Sequence, residues 1–228
     1  MEAREEHWEM AEMRRPTGMN YLTLALLAVA GIGLEVLYVL IEPLIYGSSA
    51  QNWTTAQMIS HWIITCISWG IVMILLIKVS KNKYNYDLLE KKEKMKTWQW
   101  IGVFVCVLFS LFTSYLNWEG FKIVKEFQHN GLLRFIFQYI YYAFETGLFT
   151  LIIIFGQKAF ETWFKKDKIP FGGFVVALTW GLGHIFTKSD IWVGLYSAVW
   201  GFMFGSVYLL VNKDFKKTLP ILFIMFVI

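Results

Sequence analysis

The chain has 228 residues, of which 57% are hydrophobic and 17% are charged, and its mean hydropathy is +0.49. A soluble domain carries about 25% charged residues, so this composition excludes an ordinary soluble domain and indicates one compact membrane-embedded bundle. The net charge of +4 does not indicate nucleic-acid binding, because the lysines lie in short segments between apolar runs.

These apolar runs predict an all-α, polytopic transmembrane bundle of about seven spans, since a spanning helix needs about 20 mostly apolar residues. In chain order the predicted spans are 20–45, 58–79, 98–116, 132–157, 172–187, 191–211 and 219–228. The last run is too short to cross the bilayer. Either the chain continues beyond it or the segment only dips into the membrane.

The basic residues predict how the bundle is oriented. Seventeen of the 21 Lys and Arg residues lie in the N-terminal tail or in every second segment between spans. The opposite segments hold the other four, which are Lys122, Lys125, Arg134 and Lys188. Because positive residues are enriched on the cytoplasmic side, this pattern predicts a multi-pass protein of the cell membrane with a cytoplasmic N-terminus. Residues 1–19 would form either a short interfacial helix or a solvated tail, and residues 20–228 a single bundle.

Ionisable residues inside the predicted spans need a reason to be there, because each costs roughly 2.5–3.5 kcal/mol on insertion. Glu35 and Glu42 lie on one face of the first span and are predicted to cap or cross-link helices. Glu42 is expected to pair with His61 at a similar depth, and Glu35 is also a candidate binding residue. Two further ionisable residues stand out, Glu145 in the fourth span and His184 in the fifth.

A polar stripe accompanies Glu145 along the fourth span. Gln138 and either Tyr141 or Tyr142 precede it at helical spacing, so these side chains share one face. Lipid cannot satisfy such a stripe, which must therefore face the bundle interior or a water-filled cavity. Gln138 and Tyr142 are therefore candidate binding residues.

Glu145 and His184 are the candidate catalytic pair. A carboxylate that takes a proton and an imidazole that orients or shares it can activate a water molecule. The alternative is a structural hydrogen bond between two helices. We expect the two side chains to approach within one hydrogen bond or one bridging water. No metal or other cofactor is expected, because one His and one Glu fall short of the usual three protein ligands.

Two short motifs resemble those of the CAAX-protease and bacteriocin-processing family of intramembrane proteases. They are Phe-Glu-Thr-Gly-Leu-Phe-Thr at 144–150 and Trp-Gly-Leu-Gly-His at 180–184. The resemblance extends over about residues 130–225 and includes the small and aromatic residues of 194–205. It implies that Glu145 matches the carboxylate that activates water and that His184 matches the histidine of the second motif.

The chain also departs from the family pattern. Thr146 stands where the family has a second Glu, Thr150 stands where it has Arg, and Trp180 replaces the usual Phe. No third-motif His or Asn occurs up to Ile228. In the family that group steadies the oxyanion, a contribution usually worth a few kcal/mol of barrier. Trp180, which lies in the second motif beside His184, is assigned as a candidate binding residue.

Two functional hypotheses follow. The departures favour a catalytically impaired or non-catalytic relative that acts through a membrane-protein partner or a lipid-like ligand. The surviving Glu–His pair favours an active intramembrane endopeptidase that cleaves a peptide substrate with water activated by Glu145. Both hypotheses place the protein in the lipid bilayer, and neither involves nucleic acid. A transporter is a weaker alternative, because no pair of matching halves is visible.

Overall fold

A computed structural model describes residues 16–228, so the predicted interfacial helix of the tail lies largely outside the described residues. It confirms the all-α architecture, and residues 16–228 contain no strand. The elements in chain order are α1 (Gly18–Tyr46), a 3-10 turn (Ala50–Asn52), α2 (Thr55–Tyr84), α3 (Thr97–Asn117), α4 (Lys122–Phe164), α5 (Phe171–Val176), a π-helical turn (Ala177–Gly181), α6 (Leu182–Lys188), α7 (Ile191–Leu210) and α8 (Phe215–Val227).

Five of these helices are long and apolar enough to cross a membrane, namely α1, α2, α3, α4 and α7. The predicted number of about seven spans is above this count for two reasons. The predicted span 172–187 is divided among α5, the π-helical turn and α6. The predicted span 219–228 lies in α8, whose 13 residues measure about 20 Å, shorter than the hydrocarbon layer. The five helices fit a membrane protein.

Helix α4 is the central element of the bundle. Of its most apolar 18-residue window 72% is buried, against 22–44% for the other four long helices. The helix begins ten residues before the predicted start at 132, and it bends at Gly131, whose φ of 67° and ψ of 172° are not helical. Glycine adopts this φ readily because it lacks a Cβ. The bend brings Lys122 and Glu126 back toward the rest of α4.

The segment from α5 to α6 runs back along α4 and crosses α7 closely. Gly172 contacts the backbone of Ile153 on α4, and a Cβ on Gly205 of α7 would clash with the backbone of Gly173. Small residues allow such close approach of helices in membranes. Gln157 of α4 bonds to the start of the returning segment. Its Nε2 donates to the Ile169 carbonyl, and its Oε1 accepts from the Gly172 amide of α5.

The outer surface of the bundle is apolar. Large hydrophobic side chains on α1, α3, α6 and α7 are exposed, including Leu44, Phe112, Phe186 and Trp192. In water such a surface would be unfavourable, whereas in hydrocarbon it needs no partner. The surface therefore fits contact with a lipid bilayer.

Candidate functional site

Trp180 is the residue that connects Glu145 and His184. Its indole Nε1 donates to Glu145 Oε1 at 2.9 Å, and its backbone carbonyl lies 2.8 Å from His184 Nδ1. The rings of Trp180 and His184 also meet edge to face, with centroids 4.7 Å apart. Trp180 and Glu145 are buried, and His184 is half-buried. Of the predicted polar stripe, Glu145 is thus buried inside the bundle.

The local helix geometry explains this arrangement. Trp180 lies in the π-helical turn, and such turns occur often at functional sites. His184 follows four residues later, so its ring lies above the Trp180 carbonyl on the same helical face. The antiparallel return of α5 along α4 brings the indole to the depth of Glu145.

Glu145 and His184 are not bonded to each other directly. Within residues 16–228 no hydrogen bond or ion pair joins them, and each instead contacts Trp180. Their expected separation by one hydrogen bond or one bridging water therefore stays a prediction. Glu145 and His184 are therefore connected through Trp180, whose indole lies between the carboxylate and the imidazole ring.

A cavity of about 110 Å³ opens beside Trp180 and His184. Polar and aromatic residues of α3, α4, α6, α7 and α8 form its wall together with the π-helical turn. The lining residues are Ser114, Asn117, Trp118, Lys122, Trp180, His184, Tyr196, Ser197, Trp200, Phe204 and Phe226. Glu145 lies behind Trp180 and does not line the cavity.

Gln138 and Tyr142 do not bond to Glu145 but to a residue that the sequence analysis missed. Both hydrogen-bond to Glu126 Oε1, at 3.3 and 2.7 Å, and Tyr139 donates to Glu126 Oε2 at 3.0 Å. Glu126 is buried, although it precedes the predicted span. Its spacing of 12 and 16 residues from Gln138 and Tyr142 does not predict contact on a straight helix, and only the bend at Gly131 makes it.

Glu35 lies in a separate polar cluster between α1 and α2. His61 Nδ1 is 2.6 Å from Glu42 Oε2, which confirms the predicted pair, and His61 Nε2 is 3.9 Å from Glu35 Oε1. His61 and Glu42 are buried, and Trp53 packs on the imidazole ring. Glu35 does not line the cavity beside Trp180.

The described residues contain no group of three or more His, Cys, Asp or Glu side chains that could hold a metal ion. A scan of protein-family models and searches of curated proteins and of solved structures gave no match for this chain. The family resemblance therefore rests on sequence motifs alone, namely those at 144–150 and 180–184 and the small and aromatic residues of 194–205.

Proposed function

We propose that this protein is a non-catalytic membrane protein that binds a ligand in the cavity beside Trp180. The observation that carries this proposal is the position of Glu145, whose Oε1 accepts the Trp180 indole hydrogen and which does not line the cavity. A general base must reach the proton that it removes directly or through one water. A ligand in the cavity meets Trp180 and His184, not the carboxylate.

The residues around the site agree with this proposal. Thr146 and Thr150 of α4 are fully buried. They stand where the proteases that the chain resembles carry Glu and Arg. Thr146 donates to the Tyr142 carbonyl of its own helix, and neither residue lines the cavity. The protein would thus be a catalytically impaired relative of the CAAX-protease and bacteriocin-processing family that keeps an internal cavity.

The same proposal includes an orientation. We place the protein in the cell membrane with its N-terminus in the cytoplasm, because 17 of the 21 basic residues then lie on the cytoplasmic side. In this orientation the cavity belongs to the outer half of the bundle. It is formed where α3 ends, where α4 begins and near the start of α7.

Retention of a ligand during purification tests the proposal. Asn117 is exposed at the end of α3 and lines the cavity, so Asn117→Trp would block it without burying a new group in the core. Asn52→Trp, in the exposed 3-10 turn far along the chain, is the matched control. Native mass spectrometry should detect a bound small molecule on the wild type and on Asn52→Trp but not on Asn117→Trp. Equal ligand occupancy in all three proteins, or none in any, contradicts the proposal.

An active intramembrane endopeptidase is the second candidate. It is favoured by one observation, that Glu145 and His184 both contact Trp180. A rotation of the indole out of its position would expose Glu145 to the cavity that His184 already lines. The Glu145→Gln variant described below separates this candidate from the first.

A further inference from the structure

Lys122 brings an unpaired positive charge to the cavity wall. It is the first residue of α4, is half-buried, and lines the cavity. Its Nζ donates to the Phe226 carbonyl at 2.7 Å and lies 5.0 and 4.9 Å from the ring centroids of Tyr142 and Phe226. Among the residues that the structure describes, no carboxylate lies within 4.0 Å of this ammonium group.

The two acidic residues that attract Lys122 already accept hydrogen bonds from other donors. Glu126 accepts hydrogen bonds on both oxygens, from Tyr142 and Tyr139, and Glu145 accepts one from Trp180. They interact with Lys122 only through longer-range attraction. A cation in a low-dielectric wall is stable when it is paired and hydrogen-bonded, so the remaining N–H groups of Lys122 favour an anionic partner.

Further polar groups of the cavity also need a partner. The Tyr196 hydroxyl is buried and has no hydrogen-bond partner within the described part of the chain. Buried polar atoms are normally satisfied, so a hydroxyl without a partner on a residue that lines the cavity indicates that a ligand or water bonds to it. His184 uses Nδ1 for the Trp180 carbonyl, which leaves Nε2 as its free nitrogen.

The size of the cavity limits what can enter. A volume of about 110 Å³ has room for several water molecules. This is room for one phosphate or carboxylate group but not for a whole lipid. Apart from Ser114, Asn117 and Ser197, the rest of the wall is aromatic, and such side chains suit the apolar stem that would follow a charged group.

We infer that the cavity binds an oxyanion, a phosphate or carboxylate group at the end of a membrane amphiphile, through Lys122 and Tyr196. This inference rests on the proposed function, because it names the ligand class of the same cavity. Free phosphate or a free carboxylate would offer the same chemistry without the apolar stem. The two sources are distinguished by experiment.

The test measures binding to the purified full-length protein by native mass spectrometry and by the shift in thermal unfolding. Four ligands are compared: dioleoyl phosphatidic acid, oleate, inorganic phosphate and, as a neutral amphiphile, dioleoylglycerol. The variants are Lys122→Met, Tyr196→Phe and the matched control Lys125→Met, whose side chain is exposed and lines no part of the cavity. Tyr196→Phe breaks no bond within the described residues, so it stays informative if Lys122→Met fails to fold.

We expect phosphatidic acid or oleate to bind the wild type and Lys125→Met equally. Lys122→Met should lose about tenfold or more in affinity, and Tyr196→Phe a smaller factor, because charged hydrogen bonds are the stronger ones. Binding of inorganic phosphate with the same dependence on Lys122 also supports the oxyanion site and shows that the stem is not needed.

Two results overturn the inference. If dioleoylglycerol binds as tightly as phosphatidic acid, is unaffected by Lys122→Met and is lost in Asn117→Trp, the oxyanion assignment is wrong while the ligand-binding function stands. If no amphiphile or phosphate binds although a molecule of another class is retained, the assignment is equally wrong. Absence of any retained molecule would remove the proposed function as well.

Discussion

Glu42 and His61 form a buried bond 2.6 Å long between α1 and α2, and the second carboxylate oxygen of Glu42 has no partner among the described residues. Removing one member of such a pair leaves an uncompensated polar group in the interior. The contact therefore connects the two helices only while both side chains are present.

We predict that Glu42→Leu and His61→Leu each destabilise the protein strongly, by about 3–5 kcal/mol. The double variant should lose much less stability than the sum of the two single losses, because two leucines pack together and leave no polar group without a partner. Glu35→Leu is the matched control and should lose less, since Glu35 is 3.9 Å from His61 and its side chain is 30% exposed. Unfolding in mixed micelles measures all four variants. Additive losses in the double variant would show that the pair does not act as a unit.

The Glu145–Trp180 bond gives a prediction that separates the two functional hypotheses. Gln at position 145 keeps an oxygen that accepts from the indole, whereas Leu leaves the N–H without a partner. Glu145→Leu should therefore unfold about 1–3 kcal/mol more easily than Glu145→Gln. For a non-catalytic protein, Glu145→Gln should complement a deletion phenotype at normal membrane abundance. An inactive Gln variant at that abundance would favour the endopeptidase.

The crossing of the α5 segment with α7 depends on glycine. Gly205→Ala would place a Cβ against the Gly173 backbone, which cannot move aside as a flexible side chain can. We expect a loss of about 1–3 kcal/mol, in the range for overpacked interiors. Gly183→Ala is the control, because a Cβ there meets nothing within 4 Å. It should be neutral or slightly stabilising, and equal losses at both positions would contradict the close crossing.

Asp214 caps the N-terminus of α8, and its charge is expected to make the stability of the protein depend on pH. It accepts hydrogen bonds from the Lys216 and Lys217 amides and from Lys217 Nζ. Burial raises its pKa, but these bonds outweigh burial and leave the pKa below its ordinary value. A lowered pKa stabilises the fold above the unfolded-state pKa, and this stabilisation is lost as the pH falls through the folded-state pKa.

Asp214→Asn, which still accepts the cap bonds but carries no charge, should flatten the pH dependence between neutral and acidic pH. Asp214→Ala should additionally lose about 0.5–2 kcal/mol at neutral pH. Thermal unfolding followed from pH 7 downward measures both. An unchanged acid profile in Asp214→Asn would show that the carboxylate charge contributes nothing.

Reporter fusions test the orientation. Fusions after Lys96, Lys168 and Lys217 should report a cytoplasmic location, and those after Asn52 and Glu119 an external one. The Lys217 fusion is the most informative, because it is cytoplasmic only if the segment from α5 to α6 crosses the membrane. Its antiparallel contacts with α4 lead us to expect this crossing. An external Lys96 fusion would instead contradict the charge argument throughout.

Local patterns were sufficient for part of this structure. Apolar runs bounded by basic residues predict helices and their approximate ends, because helical bonds close within one segment and lipid demands an apolar surface. The same reasoning paired Glu42 with His61, since two buried polar residues at equal depth on consecutive helices have few other partners. The helical spacing of the polar stripe also predicted that Gln138, either Tyr141 or Tyr142, and Glu145 face inward.

What the sequence by itself determined, then, was the membrane-embedded helical class and which polar residues needed partners. The tertiary structure decided which partners they have. The bend at Gly131 returns Glu126 to Gln138 and Tyr142, and the π-helical turn directs the Trp180 indole between Glu145 and His184. Neither follows from a pattern with a helical period, because each depends on a local break in the helix and on contacts between residues far apart in the chain. Lys122 likewise reaches the cavity beyond the bend at Gly131, and its ammonium group donates to the Phe226 carbonyl of α8.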